Sequence, residues 1–245
     1  PEIVVTDQGV SSTYPSSADA YVFTDIQFDA NSAWGTPIQL PTPYLEDPRF
    51  ADIPTALGSH DIQVKLFDYD NDGLLDFFVA NGDPHKEFGE EATLARNAGQ
   101  CKFIDVAKDS GPYFREEYVG RGAACGDFDN DGDLDLVVNN LNGPAKLLRN
   151  DGGNRNHWLT VAAKLANGKS DAIGARVSVT LGSLTQIRDL VPVRGYLSQS
   201  DPRLHFGLNK AEKADRVIIR WPDGRTAQLS DVPANQILTV VEPSK

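Results

Sequence analysis

The sequence predicts an all-β protein in which partial β-propeller-like repeats precede a C-terminal β-sandwich domain. Runs of β-branched and aromatic residues are short and are separated by Gly, Asn, Asp and Pro, whereas helical periodicity is scarce. A unit of about sixty residues occurs twice in the middle of the chain, and a period of that order is typical of propeller blades and similar arrays. The last part of the chain alternates short strands with tight turns, as sandwiches and barrels do.

Residues 1–58 are rich in Pro, Ser and Thr and form the first predicted segment. A strand is predicted at Tyr21–Phe28, and several prolines after it indicate turns. Two interpretations of this segment stay open: a degenerate repeat, or an extended arm that lies on another surface.

The second segment, residues 59–153, contains the repeat. DIQVKLFDYDNDGLLDFFVANGD at 61–83 parallels GRGAACGDFDNDGDLDLVVNNLN at 120–142. Each copy has an apolar strand, an aspartate-rich loop, a second apolar strand and an Asn-containing turn. Asp68 and Asp127 occupy equivalent positions, 59 residues apart. The sequence therefore predicts two copies of one β-unit.

The third segment, residues 154–245, is predicted to be the β-sandwich. Its turn signals include Asn167-Gly168 and Asp223-Gly224, and the second of these predicts a hairpin. The predicted strands are His157–Ala163, Ala175–Leu181, Thr185–Val191, Val217–Trp221 and Ile237–Val241.

The two aspartate loops share the pattern D-x-D-x-D-G-x-x-D, at residues 68–76 and 127–135. Aspartates at alternate positions can turn toward one ion if the backbone coils around it, and a glycine at the sixth position permits the sharp turn. Ca²⁺ takes six to eight oxygen ligands, so the pattern predicts two calcium sites. The predicted ligands are Asp68, Asp70, Asp72, Asp76 and the Leu74 carbonyl, and Asp127, Asp129, Asp131, Asp135 and the Asp133 carbonyl, with the Asp133 side chain pointing away.

These loops differ from an EF-hand, which needs flanking helices and a Glu at position twelve. Position twelve is Val79 in the first loop and Val138 in the second, each inside an apolar run that predicts a strand. The alternative is a solvated Asp-Asn-Asp-Gly turn without metal. Four carboxylates at ligand positions, with no basic residue in either loop, would repel one another. We therefore favour calcium.

The loops and the segments after them resemble FG-GAP (VCBS-type) repeats, which occur in the propeller of integrin α-subunits and in bacterial secreted proteins. The C-terminal segment resembles an ASPIC/UnbV domain of the cartilage acidic protein family. The residues that carry this second resemblance are NHWLTV (156–161), IGARVSV (173–179), RGYLSQSDPRLHFGL (194–208) and RVIIRWPDGR (216–225). The resemblance implies calcium binding, secretion and a role in matrix, adhesion or surface assembly.

Composition excludes some classes of function. The chain has 245 residues and a formal net charge of −12, which argues against nucleic-acid binding because phosphate contacts need a surplus of Lys and Arg. No apolar stretch is long enough for a membrane helix. The chain begins with Pro1 and has no Met, so we expect a secreted protein whose signal peptide has been removed. Its two cysteines, Cys101 and Cys125, predict a disulfide, with two buried free thiols as the alternative.

Catalytic motifs such as G-x-S-x-G, H-E-x-x-H and a P-loop are absent from the sequence, so we expect no enzyme. The first hypothesis is a calcium-stabilised structural or interaction protein, the second a carbohydrate-binding module, and the third a hydrolase that uses an aspartate pair. About 150 residues suffice for only two or three blades, whereas propellers have four to eight. Three explanations stay open: further blades upstream of this sequence, a cover formed by residues 1–58 and the C-terminal domain, or another chain, which could be a second copy in an oligomer or filament. The partners that we expect are therefore another protein chain or a glycan.

Two groups in the C-terminal segment have open interpretations. His157-Trp158 is either a buried aromatic with its neighbour or a ligand-binding pair. The second group forms either a polar contact surface or a loop that packs between strands with its polar groups bonded; its residues are Arg194, Tyr196, Gln199, Arg203 and His205.

Overall fold

The fold is all-β, as the sequence predicts. The structure is a computed structural model and describes residues 21–22, 38–39, 63–82, 89–100, 102–152, 155–191, 193, 195 and 197–244. About 51% of the described residues are in strands and 5% in helices, in several antiparallel sheets without a closed barrel. Most of the predicted N-terminal segment 1–58 lies outside these residues. Within it, only Tyr21–Val22 (β1) and Ile38–Gln39 (β2) are described, as an antiparallel pair.

The remaining strands follow in chain order, with two short 3-10 helices among them. They are β3 (Gln63–Phe67), β4 (Asp76–Ala80), β5 (Glu90–Glu91), β6 (Thr93–Asn97), β7 (Phe103–Asp105), the 3-10 helices Ala107–Asp109 and Pro112–Arg115, β8 (Glu117–Tyr118), β9 (Gly120–Gly126), β10 (Asp135–Asn140), β11 (Lys146–Leu148), β12 (His157–Lys164), β13 (Arg176–Leu181), β14 (Leu184–Asp189), β15 (Leu204–Asn209), β16 (Lys213–Arg220), β17 (Thr226–Pro233) and β18 (Gln236–Val241).

The chain divides into two compact units. Unit one comprises Pro1–Val64 and Phe77–Arg121, and unit two comprises Lys65–Asp76 and Gly122–Lys245. Both aspartate loops belong to unit two, together with the C-terminal strands.

In unit one, β6 pairs antiparallel with both β4 and β7, and β5 pairs antiparallel with β8. Phe78 of β4 is fully buried, and its ring packs edge-on against Phe114 with 6.1 Å between ring centroids. This aromatic contact anchors the second 3-10 helix on the sheet.

Unit two contains the predicted sandwich. One sheet has the order β15-β12-β18 and the other the order β14-β13-β16-β17. Strand β12 is the centre of the first sheet and pairs antiparallel with β15 and parallel with β18. The two sheets share one core, in which Phe206 and Leu159 of the first sheet are buried with Val177 and Ile219 of the second. Burial of a side chain of this size contributes about 1.5–3 kcal/mol.

All five strands predicted in the C-terminal segment are present, with ends that differ by at most four residues. The predicted hairpin is confirmed: β16 and β17 pair antiparallel around Asp223-Gly224, and Gly224 has a φ of 91° that suits glycine. Strands β15 and β17 were not predicted.

A third sheet of unit two, in the order β11-β10-β9, carries the second aspartate loop between β9 and β10. Cys125 of β9 is a free thiol, so the predicted Cys101–Cys125 disulfide is wrong for this structure. The Cys125 sulfur instead lies 3.5 Å from the hydroxyl of Ser200. Cys101 itself lies outside the described residues.

Within the part of the chain that the structure describes, no helix has the length and apolar character of a membrane span.

Candidate metal centre

Each aspartate loop passes twice through the left-handed region of backbone conformation. In loop one, residues 68–76, Asn71 has a φ of 58° and Gly73 a φ of 92°; in loop two, residues 127–135, Asn130 has 60° and Gly132 has 98°. Gly and Asn are the residues that adopt positive φ at least cost. The repeated D-N-D-G sequence therefore coils both loops in the same way.

In loop one, the first and ninth residues close the coil through their carboxylates. Asp68 accepts hydrogen bonds from the backbone N–H groups of Asp72, at 3.1 Å, and Gly73, at 2.9 Å. Asp76 accepts one from the N–H of Tyr69 at 3.0 Å. Backbone donors thus restrain both carboxylates of loop one.

Loop two repeats these contacts at the equivalent positions. Asp127 accepts from the N–H groups of Asp131 and Gly132, both at 3.1 Å, and Asp135 accepts from that of Phe128 at 3.1 Å. The two loops are therefore the same structural element, which confirms that the sequence contains a repeat.

Three carboxylates in each loop converge on one point. One oxygen from each lies within 4.8 Å of the others, and the residues are Asp68, Asp70 and Asp76 in loop one and Asp127, Asp129 and Asp135 in loop two. These six all belong to the predicted ligand set. Oxygen donors of this kind suit a hard divalent cation.

The fifth and seventh positions of the loops have a different arrangement. Asp72 accepts a hydrogen bond from the N–H of Leu74 at 2.8 Å, and Asp131 accepts one from the N–H of Asp133 at 2.9 Å. Asp72 and Asp131 stand outside the three-carboxylate groups, and their role as ligands stays a prediction, as does that of the Leu74 and Asp133 carbonyls. The Asp133 side chain is fully buried and accepts a 3.4 Å hydrogen bond from Asn71 of loop one.

Burial and mutual repulsion disfavour the ionised form of these carboxylates. Asp68 is 1% exposed, and burial, followed by the neighbouring charge of Asp72, raises its pKa to about 7, although Arg188 acts in the opposite sense. Burial also raises the pKa of Asp127 and of Asp135. A divalent cation would supply the missing positive charge, so the donor set fits a metal ion.

A buried hydrogen-bond chain joins loop one to the sandwich and to loop two. The Asn71 amide nitrogen donates to the Gly132 carbonyl at 2.9 Å, and its oxygen lies 2.6 Å from Nε2 of His205. Nδ1 of His205 lies 2.9 Å from the Thr160 hydroxyl. Because the Asn71 oxygen can only accept, His205 carries its proton on Nε2 and accepts from Thr160 at Nδ1. Burial lowers the His205 pKa to about 3, so the ring is neutral.

Arg203 holds loop two from the same part of the sandwich. Its guanidinium donates to the Asp127 carbonyl at 2.7 Å and to the side chain of Asn130. Asp201 pairs with Arg203, and the Asp201 N–H donates to the Cys125 carbonyl at 3.0 Å. Asn130 and Asn71, equivalent residues of the two loops, are thus each bound by a side chain from the β15 region.

Two glycines allow the close packing of loops and sandwich. A Cβ on Gly132 would come within 1.8 Å of the Trp158 ring, and one on Gly207 within 2.1 Å of an Asp68 oxygen. Trp158 is buried against loop two, which favours the buried-aromatic interpretation of His157-Trp158.

From the sequence, Arg203 and His205 were expected only as part of a polar contact surface or of a loop whose polar groups are bonded between strands. In the structure, the side chains of both residues bind the aspartate loops. Arg194 and Tyr196 lie outside the described residues. The signal for the missed contacts was the Asn at the fourth position of both loops, whose left-handed backbone leaves its amide free to bind elsewhere.

Comparisons with known proteins identify two regions. Residues 68–138 match the FG-GAP-like repeat family, and residues 166–245 match the ASPIC and UnbV family. The chain is 31% identical over 207 residues to cartilage acidic protein 1 of Xenopus tropicalis and 30% identical over 206 residues to that of Homo sapiens. Each alignment covers 80% of this chain and 31% of the relative, so the chain spans about a third of the length of the curated relatives that it matches.

The first match spans both aspartate loops and the second covers most of the sandwich, in the order that the sequence predicts. The chain therefore carries an FG-GAP-like repeat region followed by an ASPIC/UnbV domain and is homologous to cartilage acidic protein 1 over four fifths of its length.

Proposed function

We propose that this chain is an extracellular calcium-binding protein that acts without catalysis, through contact with another protein chain. The observation that carries the proposal is the convergence of three carboxylates in each loop, the first and last of which accept backbone hydrogen bonds. In loop one Asp68, Asp70 and Asp76 would hold one ion, and their counterparts Asp127, Asp129 and Asp135 would hold the other.

Calcium is the divalent ion that suits this setting best. The donors are carboxylates within a loop that also offers backbone carbonyls, and the described part of each cluster contains neither the His nor the Cys ligands that Zn²⁺ prefers. Extracellular calcium modules bind with Kd values of about 0.1–1 mM. The ion would hold together the strands on either side of each loop, so its role is structural.

An extracellular location is supported by the relatives, whose name associates them with cartilage. Like the relatives, which are named acidic, this chain is acidic, with a net charge of −12. A matrix-type role follows as the proposal for this chain.

An open apolar face on the β9–β11 sheet supports contact with another chain. Val137 of β10 is 46% exposed and lies opposite Leu147 of β11, which is 52% exposed, and Phe128 beside them is 54% exposed. The three line a groove of about 270 Å³. Phe78, the equivalent of Val137 in the first repeat, is fully buried, so among the described residues this face of the second repeat is more open than that of the first.

The carbohydrate-binding alternative finds less support. Sugar rings usually pack on flat aromatic side chains. The large apolar side chains that are exposed on the described part of the sandwich are, however, aliphatic. Leu184 and Ile187 on β14 are examples. A protein partner therefore fits this surface better.

Thermal unfolding with and without calcium tests the proposal. At 10 mM calcium, ten- to hundredfold above the expected Kd, each site should add about 1.4–2.7 kcal/mol, and two sites should raise the Tm by roughly 6–20 °C. D70N and D129N, which each remove one carboxylate from one loop, should each lose at least half of this shift.

The matched control is D109N, because Asp109 is an exposed aspartate outside both loops. It should keep the entire calcium effect. A wild-type Tm that is the same in calcium and in chelator would overturn the proposal.

A further inference from the structure

We infer that the two cation sites fill cooperatively and that Asn71, through the Gly132 peptide and His205, is the positioning residue that couples them. This inference rests on the proposed function, because it concerns the same two sites. It adds a direct interaction between the sites, carried by residues that are not themselves ligands.

The coupling begins at Gly132, which serves both loops at once. Its N–H donates to the Asp127 carboxylate at 3.1 Å, and its carbonyl accepts from the Asn71 amide at 2.9 Å. An ion in loop two would fix Asp127 and therefore Gly132, and a fixed Gly132 holds the Asn71 side chain of loop one.

Asn71 passes this restraint to the ligands of loop one because it lies between Asp70 and Asp72. Its side chain is fully buried and bound at both ends, and its backbone carbonyl accepts from the Asn209 N–H at 2.9 Å. Loop one is thus held at its apex by four hydrogen bonds from outside the loop, because the Asn71 amide also donates to the Asp133 carboxylate. The ordering that one ion produces in loop two therefore lowers the entropy that loop one must lose when it binds the second ion.

His205 keeps the Asn71 amide in the required orientation. The neutral ring donates through Nε2 to the Asn71 oxygen, which leaves only the amide nitrogen to face Gly132. The ring is stacked on Trp158, at 6.1 Å between centroids and an angle of 20° between planes, and Trp158 in turn packs over Gly132. Residues of the sandwich therefore pack against the hydrogen bond that connects the two loops.

The test is calcium titration by calorimetry on the full chain and on N71G. Glycine keeps the left-handed backbone at this position and removes only the side chain. Allosteric couplings are typically 5- to 150-fold, and we expect binding of the first ion to the wild type to raise the affinity for the second about tenfold. N71G should lose most of this coupling; the remainder would pass through Asn150, whose N–H donates to Asp135 and whose amide donates to the Tyr69 carbonyl.

Two matched variants separate the coupling from general damage to the loops. N130G changes the equivalent residue of loop two, whose side chain binds Arg203 and not the other loop, and it should keep the cooperativity. N142G changes an exposed Asn with a φ of 56° outside both loops, and it should behave as the wild type.

A second comparison assigns the direction of the effect. D129N weakens loop two, so in an otherwise wild-type chain it should lower the calcium affinity of loop one about tenfold, whereas in the N71G background it should lower that affinity much less. If N71G does not fold, H205F takes its place, because it keeps the ring on Trp158 and removes the bond that orients Asn71. The coupling in H205F should then fall at least twofold.

Two independent sites in the wild type, or full cooperativity in N71G and H205F, would overturn the coupling and leave the proposed function intact. A wild-type chain that takes up no calcium would overturn the proposed function and, with it, the coupling.

Discussion

Among the individual residues, Asp68 has the most perturbed environment in the loops. It is almost fully buried, accepts two backbone hydrogen bonds and lies near two other loop carboxylates. Its pKa of about 7 in the folded chain means that, between about pH 4 and pH 7, the cation-free protein holds a proton there that the unfolded chain releases. Calcium and the proton therefore compete for the same carboxylate.

The pH dependence of stability follows from this competition. A carboxyl whose folded pKa is raised contributes stability below its unfolded pKa, and that contribution is lost as the pH rises through about 7. In chelator, the Tm of the wild type relative to D68N should fall between pH 5 and pH 8. In 10 mM calcium the gain in Tm from the ion should instead grow over the same range.

The comparison with D68N at each pH is necessary because His205 acts in the opposite sense. Its folded pKa is lowered to about 3, so its contribution is present above its unfolded pKa of about 6.5 and decreases toward acid. A wild-type Tm that follows D68N in parallel from pH 5 to pH 8 would contradict the assigned state of Asp68.

The six clustered aspartates were predicted from the sequence because their geometry is local. Alternate positions in a nine-residue loop, with Gly in the sixth, are enough to direct Asp68, Asp70 and Asp76 toward one point. His205 could not be assigned in this way. It is 134 residues from Asn71 in the chain, and only the packing of β15 brings the two together.

Among the elements, β15 has the widest influence on the candidate site. It closes one edge of a sandwich sheet, its residue His205 binds loop one, and Arg203 just before it binds loop two. Gly207 within it leaves room for the Asp68 carboxylate. The loops and the ASPIC/UnbV sandwich are therefore parts of one unit.

Substitution of Gly207 tests this dependence of the loop on a distant strand. In G207A the new methyl group would overlap an Asp68 oxygen and the Asn71 backbone, so loop one must shift. Overpacking of this kind costs about 1–3 kcal/mol, and the variant should bind one calcium ion in place of two.

The control for G207A is G143A, whose Cβ would come no closer than 3.6 Å to its neighbours. It should match the wild type in stability and in calcium stoichiometry. Retention of two ions by G207A would show that β15 does not support loop one.

Strand prediction was easiest where apolar residues formed a continuous run, and it missed two strands, β15 and β17, whose local signal is weak. In β12, the run from Trp158 to Ala163 is buried throughout, and the sequence predicted it. In β15 a Gly interrupts the run, and in β17 polar residues alternate with apolar ones while Asp231 has a φ of 52°. Pairing with the neighbouring strands β12 and β16 holds β15 and β17 in the extended conformation despite these weak local signals.

For the whole molecule, charge and surface are the relevant properties. Two bound divalent ions would change the formal net charge from −12 to −8 and would remove repulsion from the two most crowded acidic regions. The apolar face formed by Phe128, Val137 and Leu147 then remains as the surface that best fits a protein partner.

Self-association through this face is a prediction for light scattering coupled to size exclusion. In calcium at micromolar concentration, the chain should elute with a mass above the 26.6 kDa of one copy. V137S/L147S should return it to one copy, because apolar contact drives the association. L184S, which changes an exposed apolar residue of the sandwich, should not. A wild-type mass of one copy would contradict this prediction.

A crystal structure of the chain grown in millimolar calcium tests the central claim most directly. It should show one ion among Asp68, Asp70 and Asp76 and a second among Asp127, Asp129 and Asp135, with oxygen–ion distances of about 2.3–2.6 Å. Ordered loops in which these carboxylates contact only water would contradict it.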